Sequence, residues 1–213
     1  MYFPHPLTAP EDEPLAMGGD LSTERLILAY QHGIFPWYNE GPILWWFTHP
    51  RPVITSETLK VSKSMKQLMR STSWKMTINH SFEEVIYHCA IVYRDGQFGT
   101  WITEDIIESY SLLHRLGIAH SVEVWENDKL IGGLYGVLIG EIFFGESMFA
   151  YKSNASKFGF LQFSQHLFSK GCKLIDCQQD TPHMRKLGTK LWSKENFWHA
   201  IQSNLIADTI VIQ

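Results

Sequence analysis

Three side chains have the types and neighbours that chemistry asks for: Glu146, Asp176 and Gln178. Glu146 follows Gly145 within the apolar run Glu141-Ile-Phe-Phe-Gly-Glu-Ser-Met-Phe149, and Asp176 ends the run Lys173-Leu-Ile-Asp176. Carboxylates have little reason to lie in such surroundings unless they are paired or used. Asp176 and Gln178 are two residues apart, so on one strand their side chains share a face. That pair suits holding an amine and steering its proton, since an amine must be neutral to attack. The plainer reading of Asp176 is a strand-end carboxylate capping the next turn. Gly145 allows a ligand or backbone to come close beside Glu146.

The elements that must position these residues can be read around them. His120–Glu126, Leu130–Ile139 and Glu141–Phe149 alternate or run apolar as three strands of an antiparallel meander, with turns at Asn127-Asp128 and Gly140. A helix follows from Asn154 to Gly171, then a strand from Lys173 to Gln178. Phe160, Phe163 and Leu167 fall on one face of that helix. The stripe leads to Leu174-Ile175, which points to an apolar cavity with polar groups at its mouth, although such stripes are more often plain core. Upstream, residues 1–21 are proline-rich and extended. Ser22 starts a helix with Leu26, Ile27 and Tyr30 on one face and Gly33 past its end. Ile43–Phe47 and Val53-Ile54 are short apolar strands. Val61–Ser71 is a basic helix, Lys75–Asn79 a strand, and Ser81-Phe-Glu-Glu84 a capping box before another helix. Gly96–Trp101 is a loop and Thr103 caps a further helix. A last helix runs from Ser193 to Asn204, and Thr209–Ile212 is a final strand. The order predicts an α+β fold, divided near residue 60, where the texture changes, into a small N-terminal domain (1–60) and a larger one (61–213).

Composition excludes several classes. The 213 residues are 45% hydrophobic and 19% charged, enough for a sizeable core. The net charge of −4 argues against a chain that is basic all over, but Arg51–Lys75 holds six cations against Glu57 alone. Arg185, Lys186, Lys190 and Lys194 form a second basic cluster. Such clusters are usually solvated surface and only sometimes a polyanion site. Cys89, Cys172 and Cys177 are odd in number and lack a CxxC spacing, which reads as free buried thiols in a reducing compartment. No signal peptide or membrane span is read, so the expected location is cytoplasmic. The ten histidines give no metal-ligand spacing. Gly132-Gly-Leu-Tyr-Gly136 is no P-loop and reads as glycines that let a strand bend.

Several motifs in register carry a resemblance. They include Gly18-Gly-Asp-Leu-Ser22, Gly33-Ile-Phe-Pro-Trp37, Trp45-Trp46, Gly99-Thr-Trp-Ile-Thr103 and His120-Ser-Val-Glu-Val-Trp125. Further along come Gly132–Gly136, Gly145-Glu-Ser-Met-Phe149, Asn154-Ala-Ser-Lys157 and Leu174-Ile-Asp-Cys-Gln178. Over roughly residues 15–190 the sequence resembles the bacterial leucyl/phenylalanyl-tRNA–protein transferases. The resemblance implies transfer of Leu or Phe, and Met by pocket shape, from aminoacyl-tRNA to the N-terminal Arg or Lys of proteins, marking them for degradation by the N-end rule pathway. It also implies a second domain similar to the acyl-CoA N-acyltransferase fold; no cofactor or metal is expected, and a monomer is the default. By motif, Asp176 and Gln178 become the peptide-bond-forming pair, the amide on the amine and the carboxylate drawing off its proton. Glu146 becomes an active-site acid of open role. Trp46 and Phe163 become the stacking partners of the terminal adenosine. Leu134, Phe143, Met148, Phe160, Leu167 and Ile175 become the aminoacyl side-chain pocket. Lys66 and Arg70 are candidates for the tRNA backbone. The departure is C-terminal: the family's Glu-Ile-Pro/Ser-Arg is replaced by Leu191-Trp-Ser-Lys194, with Lys194 standing in for the Arg, and the chain stops soon after.

Two rivals stand beside this reading. An acyl-CoA N-acyltransferase wants a [QR]-x-x-G-x-[GA] run for the CoA pyrophosphate, and Arg185-Lys-Leu-Gly-Thr-Lys190 fails at its last position. A non-catalytic RNA-binding module leaves Glu146, Asp176 and Gln178 without a task.

Overall fold

The structure is a computed structural model and describes residues 2–92, 100–204 and 208–212. The expected loop at Gly96–Trp101 lies outside the described residues up to Gly99.

The N-terminal stretch is extended, as its prolines require, apart from a 3-10 turn at Pro6–Thr8. It leads into β1 (Ala16–Met17) and α1 (Thr23–Gln31), which ends at Gly33 with φ +68°. Strands β2 (Phe35–Pro36) and β3 (Leu44–Trp46) join β1 in a small antiparallel sheet of order β1-β3-β2. The chain then enters a larger sheet through β4 (Arg51–Ile54). Next come α2 (Lys63–Ser71), β5 (Lys75–Ile78), α3 (Phe82–Ile91) and α4 (Glu104–Arg115). The meander is β6 (Ala119–Glu126), β7 (Lys129–Ile139) and β8 (Ile142–Ala150). It is followed by α5 (Ala155–Ser169), β9 (Leu174–Asp176), α6 (Pro182–Leu187), β10 (Lys190–Trp192) and α7 (Lys194–Asn204). The architecture is mixed α+β.

The large sheet has seven strands in the order β10-β4-β9-β8-β7-β6-β5, antiparallel except where β8 meets β9. β4, from before residue 60, thus lies inside the sheet, between β9 and β10. Helices cover both faces. On one face Phe82 of α3 and Tyr110 of α4 pack on Tyr135 of β7. On the other, α5 comes so close that a Cβ on Gly159 would lie 2.7 Å from Val124, and Phe163 packs edge-on to Phe143. Both faces are therefore core, which is why alternation along β6 gives way to burial of nearly every residue.

Two local expectations need correcting. Ser81 does not form a capping box, because its N–H is taken by Glu123, a fully buried carboxylate that also accepts from Thr77 and Ser121. Thr209–Ile212 is not a strand. It packs beside the β7–β8 turn through Thr209 Oγ1 and the Ile210 N–H, both bonded to Gly140, with no ladder. The divergent Leu191-Trp192 segment forms β10, which pairs with β4.

Candidate active site

β8 and β9 pair only from Ile142/Leu174 to Phe144/Asp176. Beyond that the two parallel strands part, and a cavity of about 490 Å³ opens between them. Two features shape its rim. The first is a bulge in β8: Tyr135 pairs with Ser147 and Gly136 with Gly145, so Glu146 is the extra residue. Bulges re-aim a side chain out of the pleat, and here the carboxylate turns to the tyrosine-bearing face. Gly136 makes room, since a Cβ there would lie 2.3 Å from the Phe144 carbonyl oxygen. The second is the end of β9 at Asp176. Gln178 has φ +57° and sits off the strand, so it does not share a strand face with Asp176 as the spacing alone predicts. Instead its N–H donates to Asp176 Oδ1 at 3.0 Å.

The two carboxylates are held in different ways. Glu146 Oε1 accepts from Tyr30 Oη and from Gln178 Nε2, both at 2.7 Å, and Tyr110 Oη approaches Oε2 at 3.4 Å. The two tyrosine hydroxyls also bond to each other. Burial raises the Glu146 carboxyl to about 7; the Tyr30 and Gln178 hydrogen bonds pull it down, and nearby Asp176 pushes it up. Burial keeps Tyr30 and Tyr110 well above the ordinary phenol range, so both remain protonated donors. With Nε2 on Glu146, the Gln178 side-chain oxygen is left to accept from another group.

Asp176 is 0% exposed and forms a two-pronged ion pair with Arg51, at 2.8 and 2.7 Å. Arg51 is also 0% exposed. Its remaining N–H groups donate to the Gly33 carbonyl and Thr48 Oγ1, and its guanidinium lies over the rings of Phe35, Phe47 and Phe197. Thr48 Oγ1 in turn donates to the Gln178 carbonyl at 2.7 Å. Arg51 therefore ties α1, β4 and the Gln178 turn into one frame. In the sequence it is one of six cations in a basic stretch; its neighbours Pro50, Pro52 and Val53 are the only hint that it is not on the surface.

The other expected residues divide. Leu134, Phe143, Met148, Phe160 and Ile175 line the cavity with Glu146, Asp176 and Gln178. Leu167 and Phe163 do not. Leu167 lies seven residues beyond Phe160, about 10 Å along the helix, and is 0% exposed in the core. Phe163 is 1% exposed and packs edge-on to Phe143, outside the cavity lining. Trp46 is half-buried next to the cavity wall, donating from its indole to the Trp37 carbonyl. Trp37 and Trp101 also line the cavity; both stand in the quoted motifs but were given no site role, and the Phe35-Pro36-Trp37 aromatic crowding was the available signal. Lys66 and Arg70 project from the solvent side of α2, which docks through Met65. Gly188 ends α6 at φ +105°, and a Cβ there would lie 1.9 Å from the Thr58 carbonyl oxygen. That packing explains the glycine of the Arg185–Lys190 run without a CoA pyrophosphate. No helix among the described residues is long and apolar enough to cross a membrane.

Comparison with known proteins places the chain in a family. A family model described as leucyl/phenylalanyl-tRNA protein transferase matches residues 53–202, and the corresponding N-terminal domain model matches residues 19–49. A leucyl/phenylalanyl-tRNA–protein transferase of Flavobacterium johnsoniae is 47% identical over 95% of this chain and 96% of its own. One of Pseudomonas fluorescens is 51% identical over 86% of this chain and 81% of its own. A solved protein of Staphylococcus epidermidis described as functionally unknown superposes with a TM-score of 0.45 at 11% identity, covering 67% of this chain and 57% of that one. The protein is an aminoacyltransferase. The chain belongs to the leucyl/phenylalanyl-tRNA–protein transferase family.

Proposed function

We propose that this protein moves leucine, phenylalanine or methionine from aminoacyl-tRNA to the N-terminal Arg or Lys of an acceptor protein, in the cytoplasm, and that the product is a mark for degradation. The observation that carries the reading is the junction of an apolar cavity with the Glu146–Gln178 pair at its rim. The aminoacyl side chain fills the cavity between Leu134, Phe143, Phe160 and Ile175, which leaves its ester beside the acid and the amide. One methylene more or less changes apolar binding by only ~1–3 kcal/mol, so several side chains that are not branched at Cβ fit.

The Gln178 side-chain oxygen accepts from the incoming α-amine and orients it. Attack forms the new C–N bond and breaks the ester C–O bond. The amine's proton passes to Glu146 and then to the departing ribose oxygen. We assign the proton to Glu146 rather than Asp176, since Asp176 is already occupied by Arg51 and the Gln178 N–H. No covalent enzyme intermediate is needed, because the substrate is an activated ester and catalysis is orientation plus proton handling. Trp46, with Trp37 in front of it, is the stacking surface for the terminal adenosine, and Lys66 and Arg70 meet acceptor-stem phosphates. Divergence of the parallel pair β8 and β9 around a cavity supports likeness to the acyl-CoA N-acyltransferase fold.

The test is transfer of radiolabel from Phe-tRNA to a peptide beginning with Arg. Label should appear on that peptide and not on one beginning with Glu. Transfer from acetyl-CoA instead, or tRNA binding without transfer, would sink the proposal.

A further inference from the structure

His183 lines the same cavity but has no place in the mechanism above. It stands next to Pro182 at the start of α6, and Thr181 and Met184 line the cavity with it. Its Nε2 is sealed from solvent and has no hydrogen-bond partner. A buried polar atom left so is costly, and such atoms call for an explanation. Around it the charge is one-sided. Lys157 stands on α5 one turn before the cavity residue Phe160, on the same helix face. Lys186 follows His183 on α6. Neither lysine forms an ion pair among the described residues. Asp180, the acid closest in sequence, is held by Arg185. Burial and the two lysines hold His183 below the ordinary imidazole range, so it is neutral near pH 7.

A neutral imidazole without a partner, between two uncommitted cations at a cavity wall, suits an anion that brings its own acceptor oxygens. Lys157 ends the Asn154–Lys157 motif and Lys186 belongs to a basic cluster, and neither has a role in the mechanism above. We infer that Lys157, His183 and Lys186 form a subsite for the phosphodiester joining the terminal adenosine of the tRNA to the nucleotide before it. The inference rests on the proposed reading of the cavity. With the side chain in the apolar floor and the ester at Glu146, the adenosine and then its 5′ phosphate must leave along the wall. His183 Nε2–H donates to a phosphate oxygen, and the lysines neutralise the charge. This subsite is separate from Lys66 and Arg70, which project from a different helix.

The experiment compares three donors with the complete enzyme: Phe-tRNA, the dinucleotide cytidylyl-adenosine carrying Phe, and phenylalanyl-adenosine, which lacks the phosphodiester. The wild type should show a KM roughly tenfold lower for the dinucleotide than for the nucleoside, about 1.4 kcal/mol. Lys157→Ala should erase that preference by raising the dinucleotide KM, leaving kcat and the nucleoside KM unchanged, and His183→Ala should also raise the dinucleotide KM. Lys157→Arg should keep the preference. With Phe-tRNA, Lys157→Ala should lower the salt slope of binding by about 0.7. The inference is overturned if Lys157→Ala raises both small-donor KM values equally or changes neither. Wild-type transfer from Phe-tRNA, measured in the same series, tests the underlying reading by itself.

Discussion

Glu146 and Asp176 are both carboxylates in apolar runs, yet their neighbours give them opposite uses. Asp176 is locked by a cation, whereas Glu146 is held only by neutral donors and its carboxyl is lifted to about 7. A proton acceptor works when ionised, so single-turnover transfer should rise with pH through about 7 and then level off. Glu146→Gln should flatten that profile and slow transfer by about 10²–10⁴-fold. Tyr30→Phe removes a donor that favours the ionised form, so it should move the midpoint to higher pH. Stability runs the other way. The proton bound in the folded state stabilises fully below the ordinary value of 4.5, and that contribution is lost as pH rises through 7. Glu146→Gln should therefore leave the melting temperature nearly unchanged at pH 4 and raise it at pH 8. Arg51→Met strands a buried carboxylate and should cost about 3–5 kcal/mol, read as a melting shift on the order of 10 °C. Adding Asp176→Leu should recover much of the stability but not the transfer, because Gln178 loses its anchor. The acids were legible in the sequence through their apolar neighbours. Arg51 was not, because its partner is 125 residues away and nothing local distinguishes a buried cation from a surface one.

At the scale of elements, the bulge in β8 does what Gly145 alone only hinted at. It takes Glu146 out of register and aims it at two tyrosines from α1 and α4. Gly136→Ala puts a methyl against the Phe144 carbonyl and should straighten or push apart the β7–β8 pair. Its expected signature is a fall in kcat larger than the rise in KM, with a drop of a few degrees in melting temperature. Helix α5 and the meander were legible because their periods are long and unbroken. The turn at Gln178 was not, because a two-residue spacing fits either a strand or a left-handed turn held by the preceding carboxylate. The Ser81 capping box failed for a related reason: the competing acceptor, Glu123, comes from a distant strand.

At the scale of the molecule, the cavity is a gap between two strands, floored by Phe160 of α5 and walled at the front by Trp37, just past β2 of the small sheet. On the proposed reading its size sets the choice of side chain. Leu134→Phe should shrink it and reduce phenylalanine transfer relative to leucine by about tenfold, measured as a ratio of kcat/KM values. The α+β class and most of the cavity lining were legible, because apolar period and strand order carry both. The sheet's far edge was not. β4 and β10 are short, come from opposite ends of the chain, and gain their meaning only by pairing with each other and with β9.

The long reach from Arg51 to Asp176 has a consequence for the birth of the enzyme. A ribosome adds ~5–20 residues per second, so Arg51 waits on the order of ten seconds for its counter-ion. Until then β4 has neither neighbour, and the frame that holds Gln178 does not exist. A nascent chain still in the exit tunnel therefore cannot take an aminoacyl group from the tRNAs crowding the ribosome around it. The catalyst switches on only once Asp176 and the strands that flank β4 have been made.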